Sequence, residues 1–458
     1  MIKRIPKELI EVYKKFTENK LEIFFVGGCV RNLLMDIPIK DWDFATNAKP
    51  EDILKLFPSG FYDNTFGTVG LPIKVEDKEQ VVEVTTFRTE HGYGDKRRPD
   101  KVAWGKTIEE DLSRRDFTIN AIALSLTTND QRLTTNLIDP YKGKKDIESK
   151  IIKAVGEPDK RFKEDALRLL RAVRIATEIS FTIEEKTWSA ITADAKLITH
   201  ISAERIRNEL LRILSSDYPY DGVILLRNSA LLDHILPELL EGVGVSQARP
   251  GRHHTADVFT HNVLSLKFCP SRDSIVRFAT LLHDAGKPRV IGKDEQGLVT
   301  FYNHEVVGAR IVRNICDRLK FSKKDRERIV NLVRWHMFTV DEKITDAAVR
   351  RFIRRVGVEN VKDIMDLRIG DRLGGGTQTA ESWRLKLFKK RIEKQLQPKP
   401  FSVEDMAVDG NDVMRELNIK PCPKVGEILQ KLFEEVDEDL SKNNREYLIK
   451  RMKEISSS

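Results

Sequence analysis

Cysteine is scarce in this chain of 458 residues: there are four, and none forms a C-x-x-C pair with another. Their wide spacing argues against a disulfide framework and a thiolate zinc site, so we expect a reducing compartment, the cytoplasm. The sequence also lacks any run of about 18 apolar residues, which a membrane-spanning helix needs, and its N-terminus lacks the apolar core of a signal peptide. These absences predict a protein that works without a membrane.

Internal repeats and long low-complexity tracts are absent as well, which argues against a repeat architecture. What is present is charge: lysine plus arginine number 79 against 71 for aspartate plus glutamate, a net charge of +8. Such a surplus favours a polyanionic partner such as nucleic acid, although a mild surplus also serves solubility alone. The length predicts about three domains.

The pattern of apolar residues changes once along the chain. Residues 20–140 mix short β-branched runs such as IFFV and VVEVTTF with short helical patterns, which indicates an α/β or α+β unit. After Asp139-Pro140 the spacing is mostly helical, and Thr182 to Glu185 matches a capping box at the start of a helix. We therefore predict a mixed N-terminal domain followed by helical segments.

A phosphate site is indicated near the start of the mixed domain. Gly27 and Gly28 lie between a predicted strand and a predicted helix, where backbone N–H groups and the helix dipole favour an anion, and Arg31 follows one turn later. Asp41 and Asp43 alternate along an extended segment, so both carboxylates face one side and can share a hard divalent cation. An isolated Gly-Gly is typical of a tight turn and an isolated D-x-D of a solvated pair; their spacing together favours a nucleotide site.

Two arginine-rich segments follow. Arg114-Arg115-Asp116 can hold a triphosphate through its arginines while the aspartate accepts a sugar hydroxyl, although an isolated RRD is more typical of a surface ion pair. A second segment repeats charged side chains every three residues, which predicts a shared helix face: Asp165, Arg168, Arg171 and Arg174. Such a stripe is usually solvated, but a carboxylate beside a guanidinium can also read the edge of cytosine or adenine.

Four motifs occur in order: GGCVRN, DWDFAT, RRDFTINAIA and EDALRLLRAVR. With them, the chain resembles the bacterial-type tRNA nucleotidyltransferases, the CCA-adding enzymes and their poly(A) polymerase relatives, over essentially its whole length. The resemblance implies an α+β fold: a polymerase-β-type head with a small mixed sheet and helices over 1–140, a helical neck over 141–215, a helical body over 216–396 and a helical tail over 397–458 that contacts tRNA.

The resemblance also implies roles for individual residues. Asp41 and Asp43 would be catalytic ligands of Mg²⁺, and Asp116 would contact the ribose. Asp165 and Arg168 would pair with the base of the incoming CTP or ATP, so that no nucleic-acid template is needed. The full set of expected nucleotide-binding residues is Gly27, Gly28, Arg31, Arg115, Asp116, Asp165, Arg168, Arg171 and Arg174.

Three further positions bear on this assignment. The segment 88–105 corresponds to the flexible loop of CCA-adding and A-adding members, which CC-only members lack, although it also fits an ordinary surface loop. Glu83 is either a third carboxylate or a plain strand residue. Asn32 departs from the family's usual aspartate, so it keeps hydrogen bonding but carries no charge.

Histidines and aspartates form a second constellation. His261, His283-Asp284, His304, His336 and Asp371 follow the ordered pattern H…HD…H…H…D of the HD phosphohydrolase superfamily. Imidazoles and carboxylates suit Mn²⁺, Ni²⁺ or Co²⁺. Many family members instead keep this domain only as a scaffold for tRNA, but here all the ligand types are present.

The main hypothesis is template-independent addition of CCA to the 3′ end of tRNA from CTP and ATP, with pyrophosphate released by a two-Mg²⁺ mechanism and a second phosphohydrolase activity in the HD domain. The nearest alternative is an A-adding enzyme or a poly(A) polymerase. An acidic surplus after residue 400 argues against a processive RNA-tailing polymerase. Alternatives of other classes are an HD phosphohydrolase as the main activity and a non-catalytic RNA-binding protein.

Overall fold

The structure, a computed structural model, describes residues 2–62, 67–75, 77–91, 101–129, 132–248, 256–396 and 402–457. Contacts divide the chain into two compact units, one made of Met1–Leu240 with Arg318–Phe321 and the other of Glu241–Asp317 with Ser322–Ser458. In these described ranges, every helix is too short or too polar to cross a membrane.

The first unit contains a mixed β-sheet. The first nine strands of the chain are β1 (Ile23–Val26), β2 (Asp43–Thr46), β3 (Phe61–Tyr62), β4 (Thr68–Val75), β5 (Lys78–Thr86), β6 (Arg88–His91), β7 (Lys101–Trp104), β8 (Ala123–Asn129) and β9 (Arg132–Ile138). Seven of them form one sheet in the order β3-β4-β5-β2-β1-β8-β9, in which β2 and β5 run parallel and the other neighbours antiparallel. The parallel pair sets Asp43 opposite Glu83.

The centre of this sheet is held by aromatic packing. Phe25 of β1 and Phe44 of β2 are buried with ring centroids 4.4 Å apart, and the ring of Trp42 meets Phe25 edge-on at 5.7 Å. Because side chains alternate along an extended segment, burying Trp42 on this side directs its two aspartate neighbours to the opposite side. The sheet thus fixes the orientation of the D-x-D segment.

Helices surround the sheet and continue beyond it. In this unit they are α1 (Lys7–Glu18), α2 (Gly28–Met35), α3 (Pro50–Leu56), α4 (Ile108–Ser113), α5 (Gly143–Glu148), α6 (Pro158–Glu164), α7 (Leu167–Ile179), α8 (Glu185–Ala193), α9 (Ala203–Ser215), α10 (Pro219–Asn228), α11 (Leu231–Ile235) and α12 (Pro237–Leu240). Helix α7 packs against α9 and α10, with Leu169, Leu170 and Val173 fully buried.

The predicted capping box at Thr182 to Glu185 is wrong. Two short strands, β10 (Ile151–Ile152) and β11 (Thr182–Ile183), pair in parallel at this point. The N–H of Thr182 donates to Lys150 O at 2.9 Å, so the backbone is extended there, and α8 begins after Glu184 with no side-chain cap. Pairing with β10 outweighs the local capping signal.

The second unit is almost entirely helical. Its helices are α13 (Val258–Phe268), α14 (Ser274–Leu282), α15 (His304–Arg318), α16 (Lys323–Trp335), α17 (Asp346–Val356), α18 (Val361–Gly374), α19 (Trp383–Gln395), α20 (Gly410–Leu417), α21 (Pro423–Glu438) and α22 (Arg445–Ser457). A short hairpin of β12 (Gly292–Lys293) and β13 (Val299–Thr300) interrupts them. The predicted α+β architecture is confirmed, with two small strand pairs that the sequence did not indicate.

Helices α13 and α18 approach closely because two glycines of α18 lie against α13. A Cβ added at Gly370 would lie 2.5 Å from the carbonyl oxygen of Ser265, and one at Gly374 would lie 2.4 Å from Ser265 Oγ. The glycines are one helical turn apart, so both occupy the same helix face. This packing brings His261 Nε2 of α13 to 3.3 Å from Asp371 Oδ1 of α18.

We expect Gly370→Ala to destabilise the second unit by about 1–3 kcal/mol, because the added methyl group collides with the backbone of α13 and must push the helices apart. Gly426→Ala is the matched control: Gly426 lies in α21, and a Cβ there meets nothing within 4 Å. That change should be neutral or stabilise by about 0.5–1 kcal/mol through helix propensity. Urea or thermal unfolding measures both, and equal stability of the two variants would contradict the close-packing account.

Candidate active site and metal cluster

The turn between β1 and α2 is shaped for a close approach to a ligand. Gly27 has φ = 74°, a left-handed conformation that disfavours side chains. A Cβ at this position would lie 3.1 Å from a guanidinium nitrogen of Arg115 and 3.6 Å from Asp43 Oδ2. Gly28 then begins α2, whose N-terminus has no side-chain cap, and the first N–H groups of a helix lack partners within the helix.

The two predicted metal-binding aspartates differ in environment. Asp41 is exposed and precedes β2, whereas Asp43 is the first residue of β2 and is partly buried. Burial raises the pKa of Asp43 and the neighbouring charge of Asp41 raises it further, while Arg115 opposes them. A carboxylate in this situation gains from a cation, so the donor set fits a hard divalent ion. In the described residues, however, groups of three potential ligand atoms within 4.8 Å of one another occur only among the histidines and aspartates of the second unit.

Arg115 is positioned by a buried carboxylate that the sequence analysis missed. Asp111 Oδ2 accepts from Arg115 Nε (3.2 Å) and a terminal nitrogen (2.9 Å), while Asp111 Oδ1 accepts from Arg114. Although burial alone would raise the pKa of Asp111, the two arginines lower it below its ordinary value. The spacing of Asp111 to both arginines, three and four residues along a helix, was the available signal.

Asp116 is the centre of a second buried network. Its Oδ1 accepts from Phe117 N (2.8 Å) and Asn120 Nδ2 (3.0 Å), and its Oδ2 accepts from Arg171 Nε (2.8 Å) and a terminal nitrogen (2.5 Å). Four donors fill the acceptor capacity of one carboxylate. Burial would raise the pKa of Asp116, but Arg171 and Asn120 hold it well below its usual range. The predicted contact with a ribose hydroxyl stays a prediction, and it would have to share these positions.

Arg31 joins the same network from α2. It donates to Asn120 Oδ1 at 2.7 Å and to Asn32 Oδ1 at 3.0–3.1 Å, while burial lowers its pKa to about 10. The guanidinium therefore remains charged at neutral pH. Asn32, the departure from the family pattern, keeps its hydrogen bond to the arginine.

The prediction that four charged residues share one helix face is wrong for Asp165. The helix breaks between α6 and α7, and Asp165 lies at the end of α6 in extended backbone, where Oδ1 accepts from Leu167 N at 3.1 Å. Its Oδ2 pairs with Arg205 of α9 at 3.0 Å. Arg168, in α7, is buried and donates to Glu164 (2.6 Å) and to the Arg114 carbonyl oxygen (2.9 Å). Short-range capping by Asp165 outweighs continuation of the helix.

A cavity of about 420 Å³ collects most of the predicted residues. Its lining contains Gly27, Gly28, Asp43, Glu83, Arg88, Arg114, Arg115, Asp116, Asn120, Asp165, Arg168, Arg171 and Arg205, among others. Asp41, Arg31 and Arg174 are not in this lining. Arg174 is buried and forms ion pairs with Glu178 (3.0 Å) and Glu209 (2.6 Å). Asn120 and Arg205 were missed, since an isolated polar residue in sequence carries no sign of such contacts.

The residues 92–100 of the predicted flexible loop lie outside the described residues. Its two sides are β6 and β7, which pair in antiparallel register from Arg88 with Trp104 to His91 with Lys101. The loop thus leaves from a two-stranded ribbon, and Arg88 at the base of that ribbon lines the cavity.

The second unit brings all six predicted metal-binding residues together. His261 Nε2 lies 3.2 Å from His283 Nε2, 3.3 Å from Asp284 Oδ2 and 3.3 Å from Asp371 Oδ1. On the other side of Asp284, Oδ1 lies 3.2 Å from His304 Nε2 and 3.6 Å from His336 Nε2. The two oxygens of Asp284 therefore face two groups of ligands.

Backbone carbonyls orient three of the imidazoles. The Nδ1 atoms of His283, His304 and His336 each lie 2.7–2.8 Å from the carbonyl oxygen three residues earlier. We assign the proton to Nδ1, which leaves the Nε2 lone pair directed into the cluster. Convergent lone pairs repel one another unless a cation lies between them, so the donor set fits a divalent metal.

The same cluster attracts positive charge. Burial lowers the pKa of His261, but its hydrogen bonds to Asp284 and Asp371 outweigh burial and raise it to about 9. Lys287 also pairs with Asp284. The sequence alone did not single out Lys287, although its position three residues after Asp284, just after the turn that follows α14, was a signal.

Both units of the chain match families of known proteins. The chain matches the family models of the poly A polymerase head domain over 23–153, the probable RNA and SrmB-binding site of polymerase A over 180–242, and the HD domain over 256–387. It is 34% identical to the A-adding tRNA nucleotidyltransferase of Deinococcus radiodurans over 89% of this chain and 90% of the relative, and 31% identical to the CCA-adding enzyme of Limosilactobacillus reuteri over 97% and 96%.

A solved structure agrees over the same extent. The Bacillus stearothermophilus CCA-adding enzyme in complex with CTP superposes with a TM-score of 0.71 at 25% identity, covering 98% of this chain and 97% of that chain. The fold and the site define a nucleotidyltransferase with a poly A polymerase-type head and an HD domain. The chain belongs to the family of bacterial-type tRNA nucleotidyltransferases, and divalent metals generally serve both of these domain types.

Proposed function

We propose that this enzyme adds CCA to the 3′ end of tRNA from CTP and ATP, without a nucleic-acid template, in the cytoplasm. The observation that carries the proposal is the cavity of the first unit, in which Asp43, several arginines and the pair of Asp165 and Arg168 line the same space. Relatives named as CCA-adding and A-adding enzymes, aligned over nearly the whole chain, support the choice of substrate.

The reaction we propose joins the 3′-hydroxyl oxygen of the tRNA to the α-phosphorus of the nucleotide, while the bond from that phosphorus to the oxygen that bridges to the β-phosphorus breaks. Pyrophosphate leaves with that oxygen, and the hydroxyl proton passes to solvent water. Asp41 and Asp43 would hold Mg²⁺, which neutralises charge on the attacking and leaving oxygens when bound. Arg115, oriented by Asp111, and Arg171, oriented by Asp116, would neutralise the triphosphate. Positioning and charge thus supply the catalysis.

Asp43→Asn should reduce incorporation of both C and A by on the order of a thousandfold or more, because the amide keeps the shape but binds a hard cation poorly. The measurement is extension of three tRNA substrates, lacking CCA, ending in C and ending in CC, with CTP or ATP in turn. Asp36→Asn is the control, since its carboxylate is 86% exposed and pairs only with Arg4 among the described residues. Near-normal turnover by Asp43→Asn would show that this carboxylate is not needed for catalysis.

The same three tRNA substrates distinguish CCA addition from the nearest alternative, addition of the terminal A only. The similarity to an A-adding relative over 89% of the chain favours an enzyme that adds only the terminal A. Such an enzyme would extend only the tRNA ending in CC, and only with ATP. Extension of the tRNA lacking CCA by CTP followed by ATP supports CCA addition and excludes the alternative.

Base selection is proposed to rest on Asp165 and Arg168. A carboxylate accepts from cytosine N4 or adenine N6, and a guanidinium donates to cytosine N3 or adenine N1, so the pair suits both bases and refuses uracil and guanine. Arg205 and Glu164 hold the two side chains by the ion pairs described above. Arg205 is therefore a positioning residue for Asp165.

Asp165→Asn and Arg168→Lys should raise misincorporation of UTP and GTP relative to CTP and ATP, since each variant changes the donors and acceptors that face the base. Arg205→Gln should produce a smaller change in the same direction, by releasing Asp165. The ratios of kcat/KM for the four nucleotides measure this. Arg212→Gln removes a 55% exposed arginine of α9 as the control. A uniform loss with unchanged ratios would show a structural role only.

The HD cluster is proposed to supply a second activity, hydrolysis of a phosphomonoester or a cyclic phosphate, such as that at a damaged tRNA end. In this reaction a water oxygen joins phosphorus, the ester P–O bond breaks, and the proton passes to the leaving oxygen. Mn²⁺, Ni²⁺ or Co²⁺ would supply Lewis acidity there. The inward Nε2 atoms of three imidazoles, held by backbone carbonyls, are what supports it.

We expect His283→Ala to lower the bound Mn²⁺, Ni²⁺ or Co²⁺ per chain, measured by elemental analysis after dialysis, and to abolish cyclic-phosphate hydrolysis while nucleotide addition persists. His234→Ala, an exposed histidine of the first unit, is the control and should change neither. Wild-type protein that retains no metal and shows no hydrolysis would reduce the domain to a scaffold.

A further inference from the structure

The second unit contains a pocket of about 500 Å³ next to the HD cluster. Two segments and one helix face form its walls: residues 337–340, the N-terminal turn of α19 with its cap, and two arginines of α18. The lining consists of Met337, Phe338, Thr339, Val340, Arg368, Arg372, Ser382, Trp383, Arg384 and Leu385. Nothing in the nucleotide-addition mechanism uses these residues.

Three arginines make the pocket positive. Arg368 is paired with Asp371 at 2.9 Å, but neither Arg372 nor Arg384 has an ion-pair partner within the described parts of the chain. The Nε of Arg372 is buried and lacks a hydrogen-bond partner among those residues. An unpaired buried N–H is costly, so an acceptor placed beside this atom by a ligand would be stabilised. The N-terminus of α19 adds partial positive charge to the same space.

The pocket also offers an aromatic surface. Trp383 is 57% exposed and Met337 58% exposed, and both line the pocket. The guanidinium of Arg384 lies 5.3 Å from the centre of the Trp383 ring. An exposed indole beside unpaired arginines is the combination that holds a nucleotide, with the base stacked on the ring and the phosphate on the guanidinium groups.

One residue of the pocket contacts the metal cluster, and two others are its neighbours in sequence. Met337 follows the cluster residue His336, and Arg368 and Arg372 flank Asp371 by three residues and one residue on α18. Arg368 holds Asp371 Oδ2, while Oδ1 of the same carboxylate lies 3.3 Å from His261 Nε2. A phosphate held by these arginines would therefore lie next to the ligands of the cluster.

We propose that this pocket binds a phosphorylated nucleotide end, with the base against Trp383 and the phosphate on Arg372 and Arg384, and so selects the substrate of the HD cluster. The proposal rests on the hydrolase activity proposed above, of which it names the substrate class. It requires an aromatic base as well as a phosphate, so simple phosphate esters would be poor ligands.

Calorimetric titration of the full chain without added metal tests binding separately from hydrolysis. The probes are adenosine 3′-monophosphate, a trinucleotide with a 3′-phosphate, and inorganic phosphate. Trp383→Ala should lower the affinity for both nucleotides about tenfold and leave the affinity for inorganic phosphate unchanged, whereas Trp383→Phe should retain most of the affinity for the nucleotides. Arg384→Gln should weaken all three probes about tenfold.

Arg313→Gln is the matched control, because this exposed arginine of α15 lies outside the pocket. Circular dichroism and a thermal unfolding midpoint that match the wild type verify that the second unit of each variant is folded. Tighter binding of the trinucleotide than of the mononucleotide identifies an RNA end as the ligand, and equal affinity identifies a free nucleotide.

The two proposals fail separately. Nucleotide binding that depends on Trp383 and Arg384 without any hydrolysis keeps the pocket and rejects the hydrolase. Hydrolysis whose KM is unchanged in both variants keeps the hydrolase and overturns the pocket, as does the absence of nucleotide binding by the wild type.

Discussion

Asp116 supplies a buried carboxylate to the wall of the first unit's cavity. It binds Arg171 of α7 on one side and Asn120 on the other, and Asn120 in turn binds Arg31 of α2. Removing one partner of a fully buried pair costs about 3–5 kcal/mol. The cost is smaller here because the Arg171 side chain is 35% exposed. Even so, this one negative charge links α7 to Asn120, which in turn links to α2, and it orients the guanidinium group of Arg171.

The histidine cluster follows a different principle. Its imidazoles are directed by backbone carbonyls three residues earlier, at His283 and His336 from the turns that end α14 and α16. No additional charge is needed to orient these three imidazoles. Asp284 and Asp371 pair with Lys287 and Arg368, yet each also places an oxygen within 3.2–3.3 Å of an imidazole Nε2 atom. The head orients arginines with aspartates, whereas the second unit orients histidines with main chain.

The sequence alone identified the chemically distinctive site residues better than the residues that hold them in position. The β-branched runs and helical periodicity predicted the mixed head and the helices that follow, and the Gly-Gly turn, the D-x-D segment and the ordered histidines were identified because their residue types are chemically distinctive. Asp111, Asn120, Arg205 and Lys287 were missed, since ordinary polar residues become notable only through tertiary contacts. Asp165 was assigned to the wrong backbone state, because its capping contact to Leu167 competes with a periodicity that continues through it.

Five consecutive residues of α18, Gly370 to Gly374, combine three separate duties. The two glycines permit close contact with α13, Asp371 faces the histidines, and Arg372 lines the adjoining pocket. These duties are separable, because packing needs only the absence of a side chain at the first and last positions. A descendant lineage that abandoned the histidine chemistry would be free to alter Asp371 and Arg372 while selection on folding preserved both glycines. Among related proteins, the residues found at 371 and 372 would therefore distinguish a functional histidine cluster from one that has lost its chemistry.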